Sequence, residues 1–356
     1  MLSGAEQEHA LLQFTVRGDP ARLPADTDWD SWLWNARMER VVPVLYHLVN
    51  RSPDVAADVR EQVRQVQGAV MGRCVQLEHH LVGLSRLLAS HGIRSAVLKG
   101  GATAHLDYPD ATWREFSDID LLIDSVNLRA ARALVEAEGW RQGYPLPRGH
   151  ERLTHAVTFT LDRMELDLHQ RVAHRALGLL IPASELLERA APFQIGNAQV
   201  AALDAVDRVI HAAVHTATAG PNVRLSSLAD VLVLTDRHAD KALEVLDRAD
   251  RWRVRSIVQR GIGKAYEAAA LEAPHQWRLA ERRPGQSRDR LIEFCFAGPH
   301  RRPAAEEVAY LRLMDRWSDR VRYLVGHIAP GRDFSNVHGG TGLGGRTRYL
   351  RNKLRA

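Results

Sequence analysis

Long apolar runs are missing from this 356-residue chain. None approaches the roughly 18 uninterrupted apolar residues that a membrane-crossing helix needs, which excludes a span of that kind. No basic segment followed by an apolar stretch opens the chain, so secretion is not expected and the cytoplasm is. Cysteine is scarce. Cys74 and Cys295 stand far apart, without metal-ligand spacing, and predict two free buried thiols in a reducing compartment rather than a disulfide. A basic stripe in the body is also lacking. The net charge of +5 equals the five basic side chains of the final segment, Arg346, Arg348, Arg351, Lys353 and Arg355, which contains no acid. The rest of the chain is formally neutral, so a broad nucleic-acid-binding face is not expected. A P-loop and any internal repeat are absent too.

What is present divides into three. Residues 1–91 read as a helical region. Leu77, Leu81, Leu84, Leu87 and Leu88 fall on one helical stripe, Pro43 marks a break, and Gly92 stops the last helix. Residues 92–175 read as an α/β unit. Ile93 to Leu98 is a short strand that empties into Lys99-Gly100-Gly101 and a helix. Asp118 to Asp124 is a second strand, and Ser125 is expected to cap a helix from Val126 to Glu138. Ala156–Leu161 and Met164–His169 are two further strands about a turn at Asp162-Arg163. Residues 176–325 are helical again, after a small hairpin from Phe193 to Val200 turning at Gly196-Asn197. The remainder, 326–356, is a Gly-rich tail with a basic end. Contact with anionic surfaces is the alternative to a solvated tail there.

Chemistry concentrates in the middle unit. Residues two apart on a strand point the same way, so Asp118 and Asp120 project together while Ile119 and Leu121 enter the core. Two carboxylates on so apolar a strand are costly unless a cation sits between them. On another strand, Glu165, Asp167 and His169 share a face. If the strands pair, Asp167 becomes a third carboxylate, and Asp118, Asp120 and Asp167 around two Mg²⁺ ions form a set suited to phosphoryl or nucleotidyl transfer. Lys99, Gly100 and Gly101 at a strand end let backbone approach phosphate, and Arg114 stands just before the aspartates. His211 and His215 share a helix face, but the Glu of a metalloprotease motif does not stand between them. Helix packing is the favoured role for that pair, and lining the acceptor pocket is the other.

The order strand, Lys-Gly-Gly, helix, Asp-x-Asp strand, helix, Asp strand resembles the DNA polymerase beta-like nucleotidyltransferase superfamily. In detail it is similar to a poorly characterised bacterial nucleotidyltransferase family. Leu98-Lys99-Gly100, Tyr108 with Arg114, Asp118-Ile119-Asp120-Leu121-Leu122 and Asp167-Leu168-His169 carry the likeness. Arg40 to Leu45, and later Asp207, His211, His215 and Leu228-Ala229-Asp230, extend it over most of the first 235 residues. Two departures stand out. The superfamily's usual Gly-Ser turn is Gly100-Gly101 here, and the gap from Gly101 to Asp118 is longer than in minimal members.

The resemblance implies an α+β fold, with a polymerase-beta-like core and mixed sheet flanked by N- and C-terminal helical regions. It implies Mg²⁺-dependent transfer of a nucleoside monophosphate, AMP from ATP foremost, to a hydroxyl or amine with release of pyrophosphate. Asp118, Asp120 and Asp167 would bind metal and act in catalysis. Lys99, Gly100, Gly101 and Arg114 would hold the nucleotide. A small molecule or peptide is favoured as acceptor over tRNA. The alternatives are a non-catalytic nucleotide- or partner-binding module on the same fold, and phosphoryl transfer.

Overall fold

The computed structural model describes residues 4–19, 26–144, 153–220, 223–278, 294–295, 303–314 and 316–328. Most of the Gly-rich tail and its basic end therefore lie outside the described residues. Helices α1 (Gly4–Arg17), α2 (Trp29–Met38), α3 (Val42–Arg51) and α4 (Ala57–Ser90) precede strand β1 (Ser95–Val97). Then come α5 (Lys99–Leu106), β2 (Ile119–Ile123), α6 (Leu128–Ala137), β3 (Arg141–Gln142), β4 (Ala156–Leu161) and β5 (Met164–His169). Helices α7 (Arg175–Leu180) and α8 (Ala183–Arg189) lead to the hairpin β6 (Ala191–Ile195) and β7 (Ala198–Ala202). The described elements after β7 are helices: α9 (Ala205–Thr218), α10 (Leu225–Arg237), α11 (Ala242–Arg251), α12 (Arg255–Ala268), α13 (His275–Arg278), α14 (Pro303–Leu313) and α15 (Trp317–Ile328).

The strands form one seven-stranded sheet in the order β3-β4-β5-β2-β1-β7-β6. It is mixed, because β2 runs parallel to β5 and β1 parallel to β7, while the other neighbours are antiparallel. The α+β class read from the sequence holds. Less visible was the place of the β6–β7 hairpin. It joins the same sheet beyond β1, through the pairing of Val97 with Ala202.

Strand β2 is central and buried along its whole length. Its alternation divides two cores. Ile119, Leu121 and Ile123 pack with Leu77, Leu81 and Leu88 of α4 and with Ala131 and Val135 of α6. Leu122 points the other way, into a larger cluster with α1, α3, α9 and α10. Asp120 shares the face of Leu122 by strand periodicity, and so looks toward the C-terminal helices.

Local signals explain most boundaries. Gly92, at φ +71°, ends the α4 turn, and Pro43 sits in the first turn of α3, where its missing N–H costs nothing. The cap near residue 125 differs from expectation. Asp124, not Ser125, accepts a hydrogen bond from the Val126 N–H, and a short 3₁₀ turn over Ser125–Asn127 precedes α6. A carboxylate caps as well as a hydroxyl does, so the cap lies one residue earlier than expected while α6 proper begins at Leu128. Both cysteines are free and buried.

Candidate active site

The parallel register of β2 and β5 sets Asp120 directly beside Asp167 and Leu122 beside His169. Both pairs lie on the same face of the sheet. Oδ1 of Asp120 accepts from Lys99 Nζ at 2.7 Å and faces His169 Nε2 at 2.7 Å. Asp120 is buried, and burial alone would raise its pKa. The Lys99 charge and the His169 hydrogen bond outweigh burial and hold the carboxyl well below the usual carboxylate range. Burial likewise lowers Lys99, but Asp120 more than compensates, leaving the ammonium's pKa raised.

Asp167 is half-buried, and its Oδ1 accepts from Thr158 Oγ1 of the neighbouring β4 at 2.5 Å. His169 Nδ1 faces the Arg171 carbonyl at 3.3 Å. A metal-ligating histidine commonly donates its other ring N–H to such a carbonyl. Among the described residues, ligand atoms of Asp120, Asp167 and His169 lie within 4.8 Å of one another, close enough to share one cation. Asp118 stands outside that group. It precedes β2, accepts from Ser117 Oγ at 2.9 Å, and meets Arg40 Nη1 at 3.6 Å.

The Lys99-Gly100-Gly101 turn opens α5 beside these groups. Lys99 holds a left-handed φ of +48°, which costs a non-glycine residue about 1 kcal/mol. Gly100 is fixed by packing: a Cβ there would sit 2.7 Å from Phe116 Cβ. The turn is thus pressed against the lead-in to the aspartates, and only glycine permits the approach.

Arg114 lines the same side of the site, with its guanidinium held by protein oxygens. Its Nε and Nη2 donate to the two carboxylate oxygens of Asp230 on α10, at 2.7 and 2.8 Å, and a third donor reaches the Glu115 carbonyl. Tyr108 Oη donates to the same Asp230 at 3.0 Å. Arg114 lines the site as a buttress, with its donors on protein oxygens.

A cavity of about 310 Å³ is lined by Lys99, Gly100, Asp118 and Asp120, and also by Arg40 and Arg224. His215 is exposed to it, although surrounding protein and the Lys99 charge hold its pKa down to about 4. A smaller recess of about 50 Å³ behind Lys99 is lined by His211 and His215. His169, visible in sequence on the Asp167 face, carried the signal for its place beside Asp120. Arg40 stands in a stretch that carries the family likeness but no chemical motif, and Arg224 carried no signal.

With this geometry in hand, the sequence profile of a family described as an uncharacterised nucleotidyltransferase matches residues 25–268. The chain belongs to that family. The matched span of this nucleotidyltransferase family runs from before α2 to the end of α12, and so contains every residue named above at the site. No curated protein matches the chain.

The donor set fits a hard divalent cation. Lys99 and His169 both approach Oδ1 of Asp120, Thr158 holds Oδ1 of Asp167, and the carboxylates of Asp118 and Asp120 line the same cavity. Among the described residues no helix is long and apolar enough to cross a membrane.

Proposed function

We propose that the protein transfers a nucleoside monophosphate, AMP from ATP foremost, to a hydroxyl or amine acceptor, with Mg²⁺ and with release of pyrophosphate. The observation that carries this reading is the β2–β5 register, which sets Asp120 and Asp167 side by side on one face in a member of a nucleotidyltransferase family. Asp118, Asp120 and Asp167 would hold the metal, with His169 beside them. A bound divalent cation supplies charge neutralisation and orientation for an in-line displacement at phosphorus.

The chain's own groups supply the rest. The acceptor oxygen or nitrogen forms a bond to the α-phosphorus, and the bond to the bridging oxygen of the β-phosphate breaks. Asp167, half-buried and held by Thr158, is placed to take the proton that the acceptor loses. Lys99, held on Asp120, is the cation of the turn, and Gly100 and Gly101 bring backbone to the phosphates. Arg114, through Asp230, keeps the wall formed by α10 in register with the turn. The acceptor is a small molecule or peptide in preference to tRNA, since the chain outside its last segment has no net positive charge.

The test is to incubate the full chain with Mg²⁺ and ATP labelled at the α or at the γ position, with cell extract as acceptor source. Retention of α-label alone is the expected result. Retention of γ-label would establish phosphoryl transfer instead, and binding without retention of either would establish a non-catalytic module.

A further inference from the structure

Two arginines outside the central unit, one before it and one after it in sequence, line the cavity. Arg40 lies in the turn between α2 and α3. Val41 N–H reaches back to the Ala36 carbonyl at 2.8 Å, closing α2 with a left-handed residue at Arg40, φ +57°. Glycine is the usual occupant of that place. Five non-glycine residues among those described have positive φ, and of these only Arg40 and Lys99 line the cavity. Arg224 precedes α10. It is exposed, and among the described residues its guanidinium makes no hydrogen bond or ion pair, while its carbonyl accepts from the Ser227 and Leu228 N–H groups.

Capping contacts hold the two at one rim. Oε2 of Glu39 accepts the Leu225 N–H at 2.9 Å, and the Glu39 carbonyl accepts the Ser226 N–H at 3.2 Å, so the residue before Arg40 caps the helix that begins after Arg224. Glu115, just before the aspartates, accepts the Val42 N–H at 3.0 Å and pins the start of α3 to the site. The result is like charge gathered in a concavity. Burial lowers the pKa of Arg40, Asp118 opposes that, and the charges of Arg224 and Arg114 lower it further. Arg114 has its donors on Asp230. The pairing of Arg40 with Asp118, at 3.6 Å, is loose. Such a cluster is relieved by an anion with several oxygens, which guanidinium forks grip with two bonds each.

We propose that Arg40 and Arg224 form a polyphosphate clamp, one guanidinium from each helical flank, that closes on the β- and γ-phosphates of the donor in the cavity that Asp118 and Asp120 also line. This rests on the nucleotidyl-transfer reading for its ligand, and on charge and geometry alone for its preference for polyphosphate. The leaving end of the donor is favoured over the acceptor because the arginines share their cavity with Lys99 and Gly100, whereas Asp167 is not among its lining residues.

Titration calorimetry of the full chain with inorganic tripolyphosphate and with AMP, with and without magnesium, tests the clamp. Arg40→Gln and Arg224→Gln are each expected to weaken tripolyphosphate by about tenfold or more and to leave AMP unchanged. Arg253→Gln, which removes the same charge from a left-handed position outside the cavity, is expected to stay within about twofold. The melting temperature should hold or rise in the two clamp variants, because repulsion is relieved. A merely structural role would lower it. If Arg40→Gln does not fold, Arg40→Lys keeps the charge without the fork and should bind with intermediate strength, while the exposed Arg224 is read independently.

Failure of the unaltered protein to bind tripolyphosphate, equal binding by the clamp variants, or an equal loss in Arg253→Gln would each overturn the proposal. Tripolyphosphate binding with this pattern but no retained α-label would overturn the transfer reading and leave the clamp standing. Retained α-label with unaltered KM for ATP in both clamp variants would do the reverse.

Discussion

Helix α9 joins two acidic regions that share residue types and differ in what surrounds them. At its start, Asp204 and Asp207 face arginines. Arg248 Nη1 lies 2.8 Å from an oxygen of each, and Arg189 reaches both oxygens of Asp207 at 3.0 and 3.3 Å. At the other region, which His211 and His215 approach from one and two turns further along α9, Asp120 has one lysine and one histidine on a single oxygen. The first region is saturated and its charges are balanced within the protein. The second gathers carboxylates whose remaining oxygens, among the described residues, meet no guanidinium closer than Arg40, 3.6 Å from Asp118. A buried carboxylate that is meant only to hold a fold is answered by arginine forks. One that is meant to bind a cation leaves room for it.

Substitutions should separate the two. Asp120→Asn is expected to lower nucleotide transfer by at least about 10³-fold while the far-ultraviolet circular dichroism stays unchanged. Residual turnover within about tenfold would put the metal elsewhere. Arg248→Ala should do the opposite. It leaves Asp207 buried with one guanidinium fewer and should cost about 3 kcal/mol in urea denaturation, with KM for the nucleotide unaffected. A loss of transfer without a loss of stability would show that the saturated region also serves the site.

The smallest effect is with pH, and its sign distinguishes the regions again. Burial holds His211 well below the ordinary 6.5, and His215, which opens on the cavity, is held down to about 4 by the surrounding protein and the Lys99 charge. Unfolded histidines titrate near 6.5, so below that pH the unfolded chain takes up protons that the folded chain refuses. Stability therefore falls as pH drops from about 6.5 toward 4. Asp120, held low in the fold, loses stability in the same direction at still lower pH. Asp207 is raised by burial, with Arg248 opposing, so its contribution runs the other way just above the ordinary 3.8. Urea midpoints at pH 7, 5.5 and 4.5 should fall, and less steeply in His211→Asn. A flat profile would mean that these histidines are charged in the fold.

Much of this was legible from the chain alone. The strict alternation of Met164–His169 set that strand to the residue, because period-two patterning is local and one face is buried. The turn at Lys99-Gly100-Gly101 and the long leucine stripe of α4 followed from equally local rules. Partner choice did not. That β2 runs parallel to β5 with Asp120 opposite Asp167, that the β6–β7 hairpin adds to the β1 edge, and that Arg114 finds Asp230 across 116 positions of sequence are outcomes of long-range packing. No spacing rule links Arg40 to Arg224 either. The sequence by itself determined which residues could do chemistry and which face of each strand they share. Tertiary structure alone decided which of their charges are balanced from within and which stand open, because a side chain's neighbours across a fold are set by how helices and strands pack, not by the order of residues that made them.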